Sequence, residues 1–143
     1  MVVQITPDEC LDVGLGLAGF GRIHHRSEKT MLRCFRGHYG ISPETCSSVF
    51  RDIQMTTIVE VRIRNPDSMG FFIALNWLKS YRTEENMAST FRLAKKTIRT
   101  KAWRFVRAIR ELKSQKVSAT TSSRTSIELL FLTLLFSFAD CFW

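Results

Sequence analysis

Ten Lys or Arg side chains and a single acid, Glu111, occupy the 25 positions of residues 92–116. Apolar residues recur within the same segment at spacings of four, three, four and three, which is the period of one face of an α-helix. The sequence therefore predicts a long amphipathic helix whose apolar stripe packs on a core and whose remaining surface is basic. The residues of this stripe are Ile98, Ala102, Phe105, Ile109 and Leu112.

The excess positive charge of the chain is concentrated in this one segment. The 143 residues carry a net charge of +8, to which residues 92–116 contribute +9 and the other 118 residues contribute −1. A charge that serves only solubility is spread over the surface, and an exposed helix face normally interleaves both signs. We therefore expect the segment to face a polyanion such as nucleic acid.

The chain before the basic helix carries the start and stop signals of further helices. Ser27 precedes a helical apolar pattern and can cap its N-terminus, and Gly40 supplies the residue that ends it. Ser42 is a second natural N-cap, because Pro43 fits the first helical turn, where its missing N–H costs nothing. We therefore expect two helices here, separated by a short turn.

Two more helices are expected before the basic one. The segment from Ser68 is apolar on almost every side, which places it at the centre of a bundle. Thr83 opens a short helix that ends before a break at 92–94. Residues 58–64 alternate apolar and charged side chains with the period of a strand, and we expect an extended connector there, because an isolated strand makes no sheet.

These patterns predict an all-α fold, a small helical bundle of about five helices. It contains a helix-turn-helix with a long basic C-terminal helix, in the order typical of that motif. The expected core includes Phe35, Phe50, Phe72, Leu75, Leu78, Ile98, Phe105 and Ile109.

The chain divides into four regions. Residues 1–26 are expected to be poorly ordered, 27–116 to form the helical DNA-binding domain, 117–126 to form a Ser/Thr-rich linker and 127–143 to form a hydrophobic tail. The uninterrupted apolar run of the tail would span about 16 Å as a helix, against about 30 Å for a bilayer core. A docked helix or a non-native end of the gene is therefore favoured over a membrane anchor.

No arrangement of catalytic, cofactor-binding or metal-binding residues is recognisable. Gly14–Gly19 have the spacing of a dinucleotide fingerprint, but the acidic segment before them is not the buried strand that such a site requires. We expect a flexible loop at these glycines. Cys34, His38 and Cys46 offer no fourth zinc ligand at a recognisable spacing. The sequence thus predicts no cofactor, no metal and no enzymatic activity, with cysteines that are buried and reduced.

Three motifs in series resemble a known family. They are FRGHYGISPETCSSVF, IALNWLKSYRTEENMA and KKTIRTKAWRFVRAIREL, and together they cover about residues 31–116. In order and spacing they are similar to the N-terminal region of PIF/Harbinger-like DDE transposases, especially the diatom type. The resemblance implies a nuclear protein with a helix-turn-helix that binds the terminal repeats of a transposable element.

The resemblance also implies what the chain lacks. In those transposases an RNase H-like domain follows, in which three carboxylates hold two divalent metals. Only 31 residues follow Leu112, and only Glu128 and Asp140 among them are acidic. The expectation is a truncated transposase remnant that binds DNA without the catalytic domain. A second copy of the chain and a full-length transposase are left open as further partners.

Double-stranded DNA is the expected partner, and its contacts are assigned by position on the basic helix. A recognition helix enters the major groove with its N-terminal end first, so base edges fall to the residues near its start. Arg104 and Arg107 are expected to clamp phosphates, Lys101 and Arg110 add to the contact surface, and Trp103 is expected to pack within the protein. The expected base readers are Lys95, Lys96, Arg99 and Thr100.

Two other functions fit the same sequence. A membrane-associated protein would place the basic helix on anionic lipid and insert the apolar run of residues 127–143. A helical protein–protein interaction module would use the same helix, but its affinity would depend little on salt.

Overall fold

Six α-helices are present in residues 2–20, 27–56, 59–60 and 62–119, which the computed structural model describes. No β-strand occurs within these ranges. The predicted all-α class is therefore confirmed, with five helices beyond residue 27 as expected. The helices are α1 (Pro7–Leu17), α2 (Glu28–Tyr39), α3 (Pro43–Met55), α4 (Ser68–Ser80), α5 (Glu84–Phe91) and α6 (Lys95–Ala119).

Polar residues cap these helices where the sequence predicts them. The side chains of Ser27, Ser42 and Thr83 each accept a hydrogen bond from the backbone N–H three residues later. Such bonds satisfy amide groups that a helix start otherwise leaves unpaired. Gly40 ends α2 with a φ of 79°, a left-handed conformation that glycine adopts without strain. At α4 the N-cap is Asp67, one residue before the Ser68 at which we expected the helix to open.

α4 lies at the centre of the bundle, as its nearly all-round apolar surface predicts. It packs against α2, α5 and α6. The ring centroid of Phe71 lies 5.2 Å from that of Phe50 on α3 and 5.8 Å from that of Phe105 on α6. Gly70 lets α6 approach closely, because a Cβ atom there would lie 2.8 Å from Cε2 of Phe105. These contacts fix the position of α6 on α4.

The core predicted from the sequence is confirmed, since each of its eight residues is at most 2% exposed. A smaller group of buried side chains joins α4, α5 and α6 beside the main core. It holds α5 against the N-terminal half of α6. Its members are Ile73, Met87, Phe91, Ile98 and Ala102.

α1 corrects the prediction of a poorly ordered region at 1–26. Thr6 and Glu9 form a reciprocal capping box at the start of this helix, with Pro7 in its first turn. Gly14, which we expected in a flexible loop, is a buried helical residue that packs against α2. Glycine weakens a helix by its propensity, but here the close packing of two helices outweighs that cost. Residues 21–26 of the region lie outside the described ranges.

The connector between α3 and α4 forms no strand over its described residues. Val59 and Glu60 lie in a turn. Ile63 is 1% exposed, and its N–H donates to the carbonyl oxygen of Ile53 on α3 at 3.4 Å. Ile63 therefore anchors the loop on the core, whereas Val59 is 65% exposed.

The C-terminal boundary of the domain also differs from the prediction. α6 continues to Ala119, so the expected linker at 117–126 is wrong for its first three residues. The predicted hydrophobic tail at 127–143 lies outside the described ranges. Among the helices that the structure describes, none has the length and apolarity needed to cross a membrane.

Candidate nucleic-acid interface

α6 has one buried face and one exposed face. Its apolar stripe, from Ile98 to Leu112, packs on α3, α4 and α5 and is at most 8% exposed. Basic side chains occupy the opposite face, because charge and apolarity alternate with the helical period in the sequence. Of the predicted contact residues, only Lys101 is half-buried. The exposed ones are Lys95, Lys96, Arg99, Thr100, Arg104, Arg107 and Arg110.

Lys96, Arg104 and Arg107 form a row of exposed cations on one side of α6, which we call the central basic row. In the described part of the chain, none of these three side chains has an ion-pair partner. Thr100 lies between them, and its hydroxyl donates to the carbonyl oxygen of Lys96 at 2.9 Å. The row therefore presents positive charge that no ion pair with the described residues neutralises.

Carboxylates from α5 occupy the N-terminal end of the same helix. The guanidinium of Arg99 donates from Nε and Nη2 to the two carboxylate oxygens of Glu84, at 2.9 and 2.7 Å. The ammonium group of Lys95 pairs with one carboxylate oxygen of Glu85. The hydrogen bond from Arg99 holds the pKa of the Glu84 carboxyl below its ordinary value. Two of the four residues expected to read bases thus carry partners within the protein.

Lys101 links α6 to the start of α4. Its ammonium group pairs with the carboxylate of Asp67, which also caps α4 by accepting from the N–H of Met69 at 3.2 Å. The aliphatic stem of Lys101 lies against Gly70, at the close approach of the two helices. This lysine is engaged in helix packing, and a part in ligand contact stays a prediction.

Trp103 packs on the protein, as predicted. Its ring centroid lies 5.2 Å from that of Trp77 on α4, with the two planes inclined at 57°. Trp77 in turn contacts Tyr81 edge-on. The three rings form an aromatic strip beside the exposed face, and they stiffen the contact between α4 and α6.

Arg62 is a candidate site residue that sequence reasoning missed. It lies in the connector before α4, and its Nε atom is buried without a hydrogen-bond partner among the described residues. Together with Glu60, Ile63, Arg104 and Arg107 it lines a cleft of about 140 Å³. The only signal in the sequence is the alternation of 58–64, which sets Arg62 apart from its apolar neighbours without showing what it faces.

The described residues offer no cluster of metal ligands, and their three cysteines are free thiols. No three His, Cys, Asp or Glu side chains of these residues are grouped to hold a metal ion. Cys10 and Cys46 are buried free thiols, and Cys34 is half-buried. Burial raises the pKa of the Cys46 thiol, which keeps this group protonated.

Replacing Glu84 with Gln is expected to tighten binding of a polyanion to α6, because the change removes one negative charge and releases Arg99. A roughly fivefold gain in duplex affinity at low salt is expected, equivalent to about 1 kcal/mol, at a cost in stability of at most about 1 kcal/mol, since the pair is exposed. Fluorescence anisotropy with a labelled duplex measures the gain.

Asp12→Asn is the matched control for this variant. Asp12 is exposed on α1 and forms no ion pair with the described basic residues of α6, so its loss changes the net charge equally without releasing a cation of that helix. A gain below twofold is expected for Asp12→Asn, and an equal gain for both variants would show that net charge alone acts.

The chain matches no protein-family model, no curated protein and no solved structure. The likeness of its motifs to a transposase region therefore rests on these motifs alone.

Proposed function

We propose that the chain binds duplex DNA, with the exposed face of α6 laid against the phosphate backbone. The observation that carries this proposal is the central basic row, whose cations have no partner among the described residues. Lys and Arg side chains that neutralise phosphates release condensed counterions, and this release supplies most of the affinity of nonspecific binding. A face of this kind needs no cofactor to act.

The dimensions of α6 suit a duplex. Its 25 residues extend about 37 Å, which equals about eleven base pairs at about 3.4 Å each. A major groove about 12 Å wide admits an α-helix. The central basic row covers about 16 Å of this length, so it reaches several successive phosphates.

The ion pairs between α5 and α6 affect how α6 is expected to lie on the duplex. In the proposed helix-turn-helix, α5 and α6 are the two helices and residues 92–94 are the turn. Glu84 and Glu85 lie beside the start of α6 and repel phosphates that come close to them. We therefore infer that Lys96 and Thr100 are the residues best placed for base edges, and that phosphate contacts concentrate around Arg104 and Arg107.

A competition experiment tests this proposal against membrane binding. The purified chain is mixed with a labelled duplex of about 20 base pairs and, separately, with vesicles containing an anionic lipid, at about 50 mM salt. The duplex is then added to the vesicle sample. We expect the chain to bind the duplex in the first sample and to leave the vesicles for the duplex in the second. Removal of residues 127–143 should leave the duplex affinity unchanged within about twofold.

Two outcomes of this experiment would each contradict the proposal. Loss of duplex affinity on removal of 127–143, with vesicle binding retained by the full chain, would favour the membrane function. Absence of measurable duplex binding at low salt would favour a protein–protein interaction module.

A further inference from the structure

The cleft between α6 and the connector has the composition of an anion site. Arg104 and Arg107 lie one turn apart on α6, and Arg62 faces them from the connector across a space of about 140 Å³. A single water needs only about 10–15 Å³, so the space suits a larger ligand. One acidic residue, Glu60, also lines it.

The connector holds Arg62 in this position. The neighbouring Ile63 is buried in the main core and donates its N–H to the carbonyl oxygen of Ile53. The backbone beside Arg62 is therefore held against the core, and the burial of the Nε atom restricts the side chain as well, so less rotamer freedom remains to be lost when a ligand binds. A guanidinium anchored in this way is a better ligand than one at the end of a freely moving side chain.

The buried Nε–H of Arg62 has no hydrogen-bond acceptor among the described residues. A buried N–H without an acceptor costs about 1–3 kcal/mol, and more for a charged group. Arginine does not relieve this cost by losing its proton, because its pKa lies too high. Arg62 lines the cleft, and an acceptor there relieves this cost when the side chain turns to present its buried Nε–H.

The charges select the kind of acceptor. Three guanidinium groups and one carboxylate line the cleft, which leaves an excess of two positive charges. Guanidinium groups match the oxygens of phosphate with paired hydrogen bonds, and a phosphate is a strong acceptor on every side. A neutral ligand would leave the crowded cations uncompensated.

We propose that this cleft binds one backbone phosphate of the duplex and so anchors the middle of α6 on the DNA. The inference rests on the proposed function for the source of the phosphate, and on Arg62, Arg104 and Arg107 for the site itself. Such a contact positions the protein without reading sequence. Glu60 weakens the site by its charge.

The test measures two ligands on three variants. Inorganic phosphate is titrated against the folded chain at constant ionic strength, by thermal shift or by NMR of the arginine side chains, and duplex affinity is measured as a function of salt. For Arg62→Gln we expect inorganic phosphate to produce no shift. The duplex affinity should be about tenfold weaker, and the slope of log affinity against log salt should be smaller in magnitude by about 0.9. Glu60→Gln is expected to strengthen the binding of both ligands.

Arg33→Gln is the matched control, because Arg33 is exposed on α2 and its loss changes the charge equally. We expect the control to alter either ligand by less than about twofold. If Arg62→Gln does not fold, Arg104→Gln, at an exposed position, replaces it in the phosphate titration alone, because Arg104 also belongs to the central basic row and its loss weakens duplex binding in either case.

The outcomes separate the cleft from the proposed function. Duplex binding that Arg62→Gln leaves unchanged would overturn the cleft and leave the function standing. Phosphate binding that Arg62→Gln abolishes, in a chain that binds no duplex, would overturn the function and assign the cleft to free phosphate. If Arg62→Gln and Arg33→Gln weaken the binding of phosphate and duplex equally, the cleft is not a specific site.

Discussion

Replacing Gly14 with Ala is expected to lower the free energy of unfolding by about 2–3 kcal/mol, whereas the same change at Gly16 should raise it by about 0.5–1 kcal/mol. Both glycines lie in α1, two residues apart. Alanine favours a helix over glycine by about 1 kcal/mol when nothing else changes. The opposite signs therefore isolate the packing of α1 on α2.

The difference between the two glycines is in their surroundings. A Cβ atom at Gly14 would lie 3.0 Å from Cε2 of Tyr39 and closer still to the ring of Phe35, while at Gly16 it would meet nothing within 4 Å. Phe35 and Tyr39 are fully buried, with ring centroids 4.9 Å apart, so neither ring can move aside. The hydroxyl of Tyr39 also donates to the carbonyl oxygen of Gly14 at 2.5 Å, and this buried bond lengthens if the helices separate.

Urea denaturation of the three proteins measures these effects, with the denaturant slope m compared among them to establish that only stability has changed. An increase in stability for both variants would show that α1 is not seated on α2 as described. A decrease for both would show that α1 tolerates no added methyl group and that the Phe35 ring is not what distinguishes Gly14.

The fold beyond residue 27 could be predicted because its signals are local. A cap residue, an apolar period and a glycine at the end suffice to mark a helix, and Ser27, Gly40, Ser42 and Thr83 supply caps at the expected positions. The period also identifies the buried face, since a helix that packs on one side must be apolar on that side.

α1 is the helix that residue propensity conceals. Its glycines argue against a helix when each residue is judged by propensity, and Gly14 is required only by two rings that come from another helix. The capping box of Thr6 and Glu9 is the local signal that would have identified it. Tertiary packing overrides propensity here, and such packing is not written in the segment itself.

The candidate site could be predicted in part. The basic face of α6 follows from the sequence, and the structure leaves Lys96, Arg104 and Arg107 exposed on it. The pairing of Arg99 with Glu84, across 15 residues of chain, depends on how α5 lies on α6. The approach of Arg62 depends on the path of a connector far from α6 in sequence. Neither the Arg99–Glu84 pair nor the position of Arg62 is marked by a local pattern in the sequence.

The salt dependence of duplex affinity has the largest expected effect of any measurement on this protein. If α6 and its neighbours contact about six phosphates, the logarithm of the association constant falls with the logarithm of salt at a slope of about −5, since each phosphate contributes about −0.9. Between about 50 and about 200 mM salt the affinity then falls about a thousandfold. Charge on a surface that binds no polyanion gives no such slope.

Paired arginine variants locate the contacts. Arg104→Ala with Arg107→Ala should reduce the magnitude of the slope by about 2 and weaken all duplex sequences alike. Arg33→Ala with Arg36→Ala is the control, because these two arginines have the same spacing and are exposed on α2. The control should leave the slope unchanged within about 0.5.

The most direct test of the central claim is therefore the duplex affinity of the unaltered chain, measured by fluorescence anisotropy from about 50 to about 200 mM salt. Duplex DNA binding through α6 predicts a linear plot with a slope of about −5 that falls to about −3 in the Arg104 and Arg107 double variant. An affinity independent of salt, or a slope that the double variant and the Arg33 and Arg36 control reduce equally, would contradict it.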